Sequence, residues 1–253
     1  MTLEWWVYPV AIFGGFLAGF INTLAGNGSA ITLTILMELM GLPPQVANGS
    51  NRVGVMAQTS VSSIVFYQEG KIDFKKSWHI LLLVFIGAMF GLWLTLNISN
   101  EGFRTVFGVM MVVMLGVILV NPKRWIEPQK NTKPLHLGIM IPVALALGFY
   151  GGFIQMGMGV MFLAFIVLVA KYDIIHGNAI KSLSVGIYTV VVLGFFAYKG
   201  LVDWQAGGLL AIGQVGGSWL SSRFAATHPK AGVYAHRILV VVVIFAILKV
   251  FLI

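Results

Sequence analysis

Ten apolar segments joined by short polar connections leave this chain one environment in which to fold. They run 5–25, 28–41, 46–68, 77–97 and 102–121, then, beyond a linker at 122–134, 135–155, 158–171, 176–198, 205–223 and 233–252. Stretches such as Phe149 to Ala170 and Val233 to Ile253 have the length needed to cross a hydrocarbon core of roughly 30 Å. Only 9% of the residues are charged, against about 25% in a soluble domain, so the chain lacks the polar surface to stay in water. The alternating ten-residue pattern of a membrane β-barrel is absent. The expected fold is an all-α membrane protein.

Two glycine breaks sharpen that expectation. Gly26-Asn27-Gly28 interrupts the first apolar segment and Gly157-Met158-Gly159 interrupts another half a chain later. Each is followed by an apolar stretch too short to span a bilayer, Ser29 to Met40 and Val160 to Ala170. Paired interruptions in the two halves of a membrane protein point to a transporter's binding site. Non-helical backbone at membrane depth persists where it is buried in protein or lines a wet cavity, and glycine permits the sharp reversal. A half-length helix starting after the break offers free N–H groups and a positive dipole end, an anion site without a charged side chain. Two such N-termini, Asn27 to Ala30 and Met158 to Met161, are expected to meet near the midplane. The candidate lining is Asn22, Gly26, Asn27, Gly28, Ser29, Gln155, Gly157, Met158 and Gly159. The plainer alternative is that the glycines only let helices pack closely.

Two polar helix starts follow the short stretches. Ala47-Asn48-Gly49-Ser50-Asn51-Arg52 is the richer, and Asn178-Ala179-Ile180-Lys181-Ser182 its counterpart. They add Asn48, Asn51, Arg52, Asn178 and Lys181 to the candidates. A cation near a helix start opposes that helix's own dipole, and one inside hydrocarbon costs roughly 2.5 kcal/mol or more. Arg52 and Lys181 therefore either snorkel to the interface or supply positive potential to an anion pathway. Thr23, Gln58, Thr59 and Ser184 are weaker lining candidates, Glu38 fits an interface position, and the five histidines fall at segment ends or in loops. With no cysteine, thiol chemistry and disulfides are excluded. Nothing forms a catalytic constellation, so neither an enzyme nor a cofactor or metal is expected. Met1 to Trp6 lacks the basic start of a signal peptide and reads as the start of the mature chain.

The halves align at a shift of 130, which places Asn48 on Asn178, Gly70 on Gly200, Ile72 on Val202, Asp73 on Asp203 and Phe74 on Trp204. The expected domains are an N-terminal repeat at 1–121, a cytoplasmic linker at 122–134 and a C-terminal repeat at 135–253. The net charge of +8 sits mostly in short connections, as the positive-inside bias produces, so nucleic acid is not an expected partner. Basic loops near Lys71, Lys75 and Lys76, in the linker, and around Arg223, Lys230 and Arg237 belong in the cytoplasm. Repeat-equivalent loops then lie on opposite faces, so the two repeats, of about five helical segments each, are inverted. Both termini come out non-cytoplasmic.

At these residues the chain resembles the sulfite exporter TauE/SafE family. The matching stretches are Gly19 to Ser29, Ala47 to Arg52, Tyr67 to Asp73 and Gly148 to Phe153. The family's glycine run is longer where Asn27 and Ser29 stand here. The resemblance implies passive or proton-linked movement of small sulfur-containing or organic anions, such as sulfite or sulfonates, across the bacterial inner membrane. The expected protein is a multi-pass secondary transporter, an exporter, whose partners are a small anion and the lipid bilayer. A second copy of the chain is one oligomeric option. An anion channel and a non-transporting membrane sensor or assembly protein are the alternatives.

Overall fold

Among the described residues, apolar sequence punctuated by glycine and capping aspartate folds into helices. The computed structural model describes residues 4–99 and 137–228, with 230, 231, 233, 234 and 237 beyond them. The expected segment at 102–121, the linker at 122–134 and nearly all of the segment at 233–252 lie outside the described residues. The first half contributes α1 (Val7–Leu24), the short α2 (Gly28–Thr34) running into a π-helical turn at Ile35–Leu39, α3 (Pro44–Gln68) and α4 (Phe74–Asn97). The second contributes α5 (Leu137–Phe153), the short α6 (Met158–Ala164) with a π-helical turn at Phe165–Val169, α7 (Ile174–Tyr198) and α8 (Trp204–Thr227). From the short helix to the last described one, each pair has bounds that differ by 130. α1, α4 and α7 are long and apolar enough to cross a membrane. Each short helix with its π turn covers about 18 Å at 1.5 Å per residue, well short of a span.

The matched residues hold matched ends. Asp73 accepts from the backbone N–H of Lys76 at 3.2 Å to cap α4, and Asp203 accepts from that of Ala206 at 2.9 Å to cap α8. Gly70 and Gly200 close α3 and α7 at φ +66° and +68°. In each, the glycine N–H and the next residue's N–H return to the carbonyls of the last turn, Gly70 to Tyr67 and Lys71 to Phe66, Gly200 to Ala197 and Leu201 to Phe196. This is the Schellman arrangement, which needs a left-handed residue. A Cβ at either glycine would meet open space, so only the backbone term remains. Gly70→Ala and Gly200→Ala should each destabilise by about 1 kcal/mol. Thermal unfolding of the detergent-purified variants checks this, and a loss at one position only would break the equivalence of the two turns.

The helices interleave between halves. α1 lies against α8 and α4 against α5. Gly15 and Gly19 of α1 abut the backbone at Leu210 and Gln214, while Gly213 and Gly217 of α8 abut that at Ile12 and Phe16. Gly87 and Gly91 of α4 meet Leu145 and Phe149, and Gly148 and Gly152 of α5 meet Val84 and Ala88. Small residues four apart let backbones touch, the favoured way to join helices in a bilayer. Of the other glycines in α8, Gly207 packs on Ser50 and Val53, but a Cβ on Gly208 would meet open space.

Polarity is inverted relative to a water-soluble protein. Trp93 is 65% exposed whereas Arg52 is 0% exposed, and Asn48, Asn51, Gln58, Asn178 and Gln214 are buried with it. A hydrocarbon solvent selects that arrangement, because polar groups there must find partners inside the bundle.

Candidate functional site

The site is built where two chain breaks touch. α1 stops at Leu24, Gly26 turns the chain at φ +87°, and α2 starts at Gly28. α5 stops at Phe153, Gln155 and Gly157 take φ +66° and +73°, and α6 starts at Met158. The two breaks are in van der Waals contact through glycine: a Cβ on Gly26 would strike the backbone of Gly159, and one on Gly159 the backbone of Gly26. Gln155 is not a glycine, so its left-handed conformation costs on the order of 1–3 kcal/mol and requires support. The Arg52 guanidinium donates to its Oε1, and the Tyr188 hydroxyl lies 3.4 Å from the same oxygen.

A helix that ends inside a membrane protein leaves its last carbonyls unpaired, and here each half supplies the donors for the other. Arg52 donates through Nη1 to the Gly151 carbonyl at 2.8 Å and through Nη2 to that of Gly152 at 3.1 Å. Asn48 Nδ2 donates to the Phe153 carbonyl at 3.0 Å, which also receives the Thr95 hydroxyl. Reciprocally, Lys181 Nζ donates to the carbonyls of Asn22 and Thr23 at 2.8 and 2.9 Å, and Asn178 Nδ2 to that of Leu24 at 3.2 Å. Three consecutive carbonyls at the end of α5 are thus held from α3, and three at the end of α1 from α7. The cations oppose the dipoles of their own helices yet sit at the C-terminal, negative ends of α5 and α1, where a cation is favoured. Neither snorkels, since Arg52 is 0% and Lys181 4% exposed. Neither has a carboxylate within ion-pair distance among the described residues; the ion pairs there include Lys76 with Asp73 and His176 with Asp173.

Beside the touching breaks lies a polar cavity of about 20 Å³. α1 contributes Asn22 and Thr23 to its wall, α3 Gln58, Thr59 and Ser62, the second break Gln155, Met158 and Gly159, and α7 Lys181, Ser182 and Val185. Gln58 Oε1 has no hydrogen-bond partner there, although the residue is buried. Among the described residues no carboxylate lines it.

Of the residues expected from sequence, Asn22, Gln155, Met158, Gly159 and Lys181 face this cavity together. Gly26, Asn27, Gly28, Ser29, Asn48, Asn51, Arg52, Gly157 and Asn178 do not. Asn51 instead accepts from the Thr32 hydroxyl at 2.6 Å, Asn27 and Gly157 begin the short helices, and Arg52, Asn48 and Asn178 cap carbonyls. Thr23, Gln58 and Thr59 are in the wall, whereas Ser184 bonds the Ile180 carbonyl of its own helix. Ser62 and Ser182 were missed. Each stands four residues beyond a recognised polar residue, Gln58 or Asn178, and thus on the same helix face. Glu38 is exposed.

Comparison with known proteins identifies the family. The family model "Sulfite exporter TauE/SafE" matches residues 11–250. A "probable membrane transporter protein" of Haemophilus influenzae is 27% identical over 217 residues, covering 85% of this chain and 84% of the relative. The "probable membrane transporter protein ORF9" of a Sinorhizobium species is 24% identical over 83% of this chain and 80% of its own. The "probable membrane transporter protein YfcA" of Escherichia coli K12 is 23% identical over 85% and 79%. No solved structure matches the chain. With a family model spanning both breaks and both cation-bearing helices, the chain belongs to the sulfite exporter TauE/SafE family and is a membrane transporter.

Proposed function

We propose that this transporter is a secondary exporter of small sulfur-containing or organic anions, such as sulfite or sulfonates, across the bacterial inner membrane. One observation carries the reading: a polar cavity beside two touching helix breaks, with a buried lysine in its wall and, among the described residues, no carboxylate lining it. An isolated buried cation is expensive, and an anionic ligand is the partner such a wall lacks. The family match supports the substrate class. A cavity of about 20 Å³ admits a water molecule but not a polyatomic oxyanion, so the described conformation is closed. A carrier that opens by moving the breaks fits that better than a standing channel.

The same reading takes the halves as inverted repeats at 1–121 and 135–253, joined by a cytoplasmic linker at 122–134, with both termini non-cytoplasmic. Loop charge supports it, as does the reciprocal capping across the halves. Vesicles reconstituted with the wild-type chain should show saturable sulfite or methanesulfonate flux with counter-flow. Flux that never saturates would instead identify a channel. For orientation, the chain has no native cysteine, so the exposed Lys75→Cys and Lys199→Cys can be labelled singly. They should react from opposite sides of the membrane, and same-side labelling sinks the inverted arrangement.

A further inference from the structure

The two buried cations look equivalent in sequence and in their capping bonds, but only one of them meets the cavity. Lys181 lines it, together with Asn22 and Thr23, the residues whose carbonyls the ammonium holds. Its third bond is to Asn178 Oδ1 at 2.6 Å, so every ammonium hydrogen is engaged with a neutral acceptor. An ammonium is a compact charge with rotatable donors. It can trade a carbonyl for an anionic oxygen entering from the cavity while its stem stays in place.

Arg52 is differently placed. Both of its terminal nitrogens are bound to the carbonyls of Gly151 and Gly152 and to Gln155, its buried Nε has no hydrogen-bond partner, and it is not part of the cavity wall. Gln155 does. Residues numbered 130 above Gln58 and Ser62 are Tyr188 and Val192, both 0% exposed. The Tyr188 hydroxyl lies over Gly151 and near Gln155. Where α3 presents an amide and a hydroxyl to the cavity, α7 thus presents a ring and an aliphatic side chain to packed protein.

We propose that Lys181 is the cation that binds the transported anion, exchanging a carbonyl of the α1 terminus for it, and that Arg52 is a positioning residue that never touches the anion and acts by holding Gln155 in the cavity wall. This rests on the transport reading above. The two roles separate in kinetics, because losing a substrate contact raises KM whereas losing a positioning residue for a mobile break lowers turnover.

The test uses the full chain in vesicles with radiolabelled sulfite as the probe. Lys181→Gln should raise KM at least tenfold. Arg52→Gln, which removes the same charge, should leave KM within threefold while Vmax falls at least tenfold. Gln155→Ala should reproduce the Arg52→Gln phenotype, and the double variant should be no worse than either single one. Two near-isosteric changes keep the question open to refutation if the charge variants do not fold. Gln58→Leu, on the Lys181 side, should raise KM at least threefold, and Tyr188→Phe, on the Arg52 side, should leave it unchanged. The division of roles is overturned if Arg52→Gln raises KM as much as Lys181→Gln, or if Tyr188→Phe raises it more than Gln58→Leu. Wild-type vesicles that pass neither sulfite nor methanesulfonate overturn the transport reading and this inference with it. Wild-type flux with equal KM effects overturns the inference alone.

Discussion

Gly26→Ala should leave the protein unable to bring its two breaks together. The position carries two separate demands, a φ of +87° and direct contact with the Gly159 backbone. An L-residue in the left-handed region costs about 1–2 kcal/mol, and forcing a methyl between packed backbones adds about 1–3 kcal/mol. The sum, roughly 2–5 kcal/mol from these two terms, is a large share of a marginal stability. Gly41→Ala is the matched control, because Gly41 also has positive φ (+69°) but faces open space. The unfolding midpoints of the detergent-purified proteins should therefore fall in the order wild type, Gly41→Ala, Gly26→Ala, and only the last should lose flux. Equal losses for the two alanines would show that contact between the breaks contributes nothing.

Arg52→Ala should be the second severe change. It strips donors from the carbonyls of Gly151 and Gly152 and from the Gln155 amide oxygen, in a site 0% exposed. An orphaned buried polar group costs about 1–3 kcal/mol. Gln155 Oε1 keeps the Tyr188 hydroxyl, so the two orphaned carbonyls cost on the order of 2–6 kcal/mol, or on the order of 10 °C in the unfolding midpoint. Lys75→Ala, at an exposed position on the α4 terminus, should change the midpoint by less than a degree or two. An Arg52→Ala midpoint equal to that of wild type would mean that water replaces the guanidinium at the α5 terminus, and the capping account would fail.

What could be read from the sequence was whatever is local. Apolar segment lengths place the described helix ends within about three residues, except the end of α8 at Thr227, four beyond the expected 223, and the glycine pairs mark both breaks. Asp73 and Asp203 align because each caps the next helix, an interaction reaching only three residues along the chain. The partners of Arg52 and Lys181 were not legible, since their carbonyls lie 99 to 159 residues away and carbonyls leave no trace in residue type. Local dipole reasoning even made both cations look misplaced. The resolution is that each serves a helix of the other half. The expectation that the short-helix N-termini themselves enclose the ligand space put Asn27, Gly28 and Ser29 in the wall. At the first break the Gly26–Gly159 contact occupies that place, whereas Met158 and Gly159 at the start of α6 do line the cavity, together with Gln58, Thr59 and Ser62 of α3 and residues of α7.

The reciprocal capping also bears on how the chain is made. The carbonyl of Leu24 waits for an amide 154 residues further along, and that of Thr23 for an ammonium 158 residues on. At roughly 5–20 residues per second of synthesis, that is an interval of about 8–30 s in which the first broken helix exists without its donors. During biogenesis α1 and α2 can therefore be inserted but not finished. Water, lipid headgroups or the insertion machinery must satisfy Asn22, Thr23 and Leu24 until α7 arrives. The first half is thus the earliest part to enter the membrane and among the last to reach its final form.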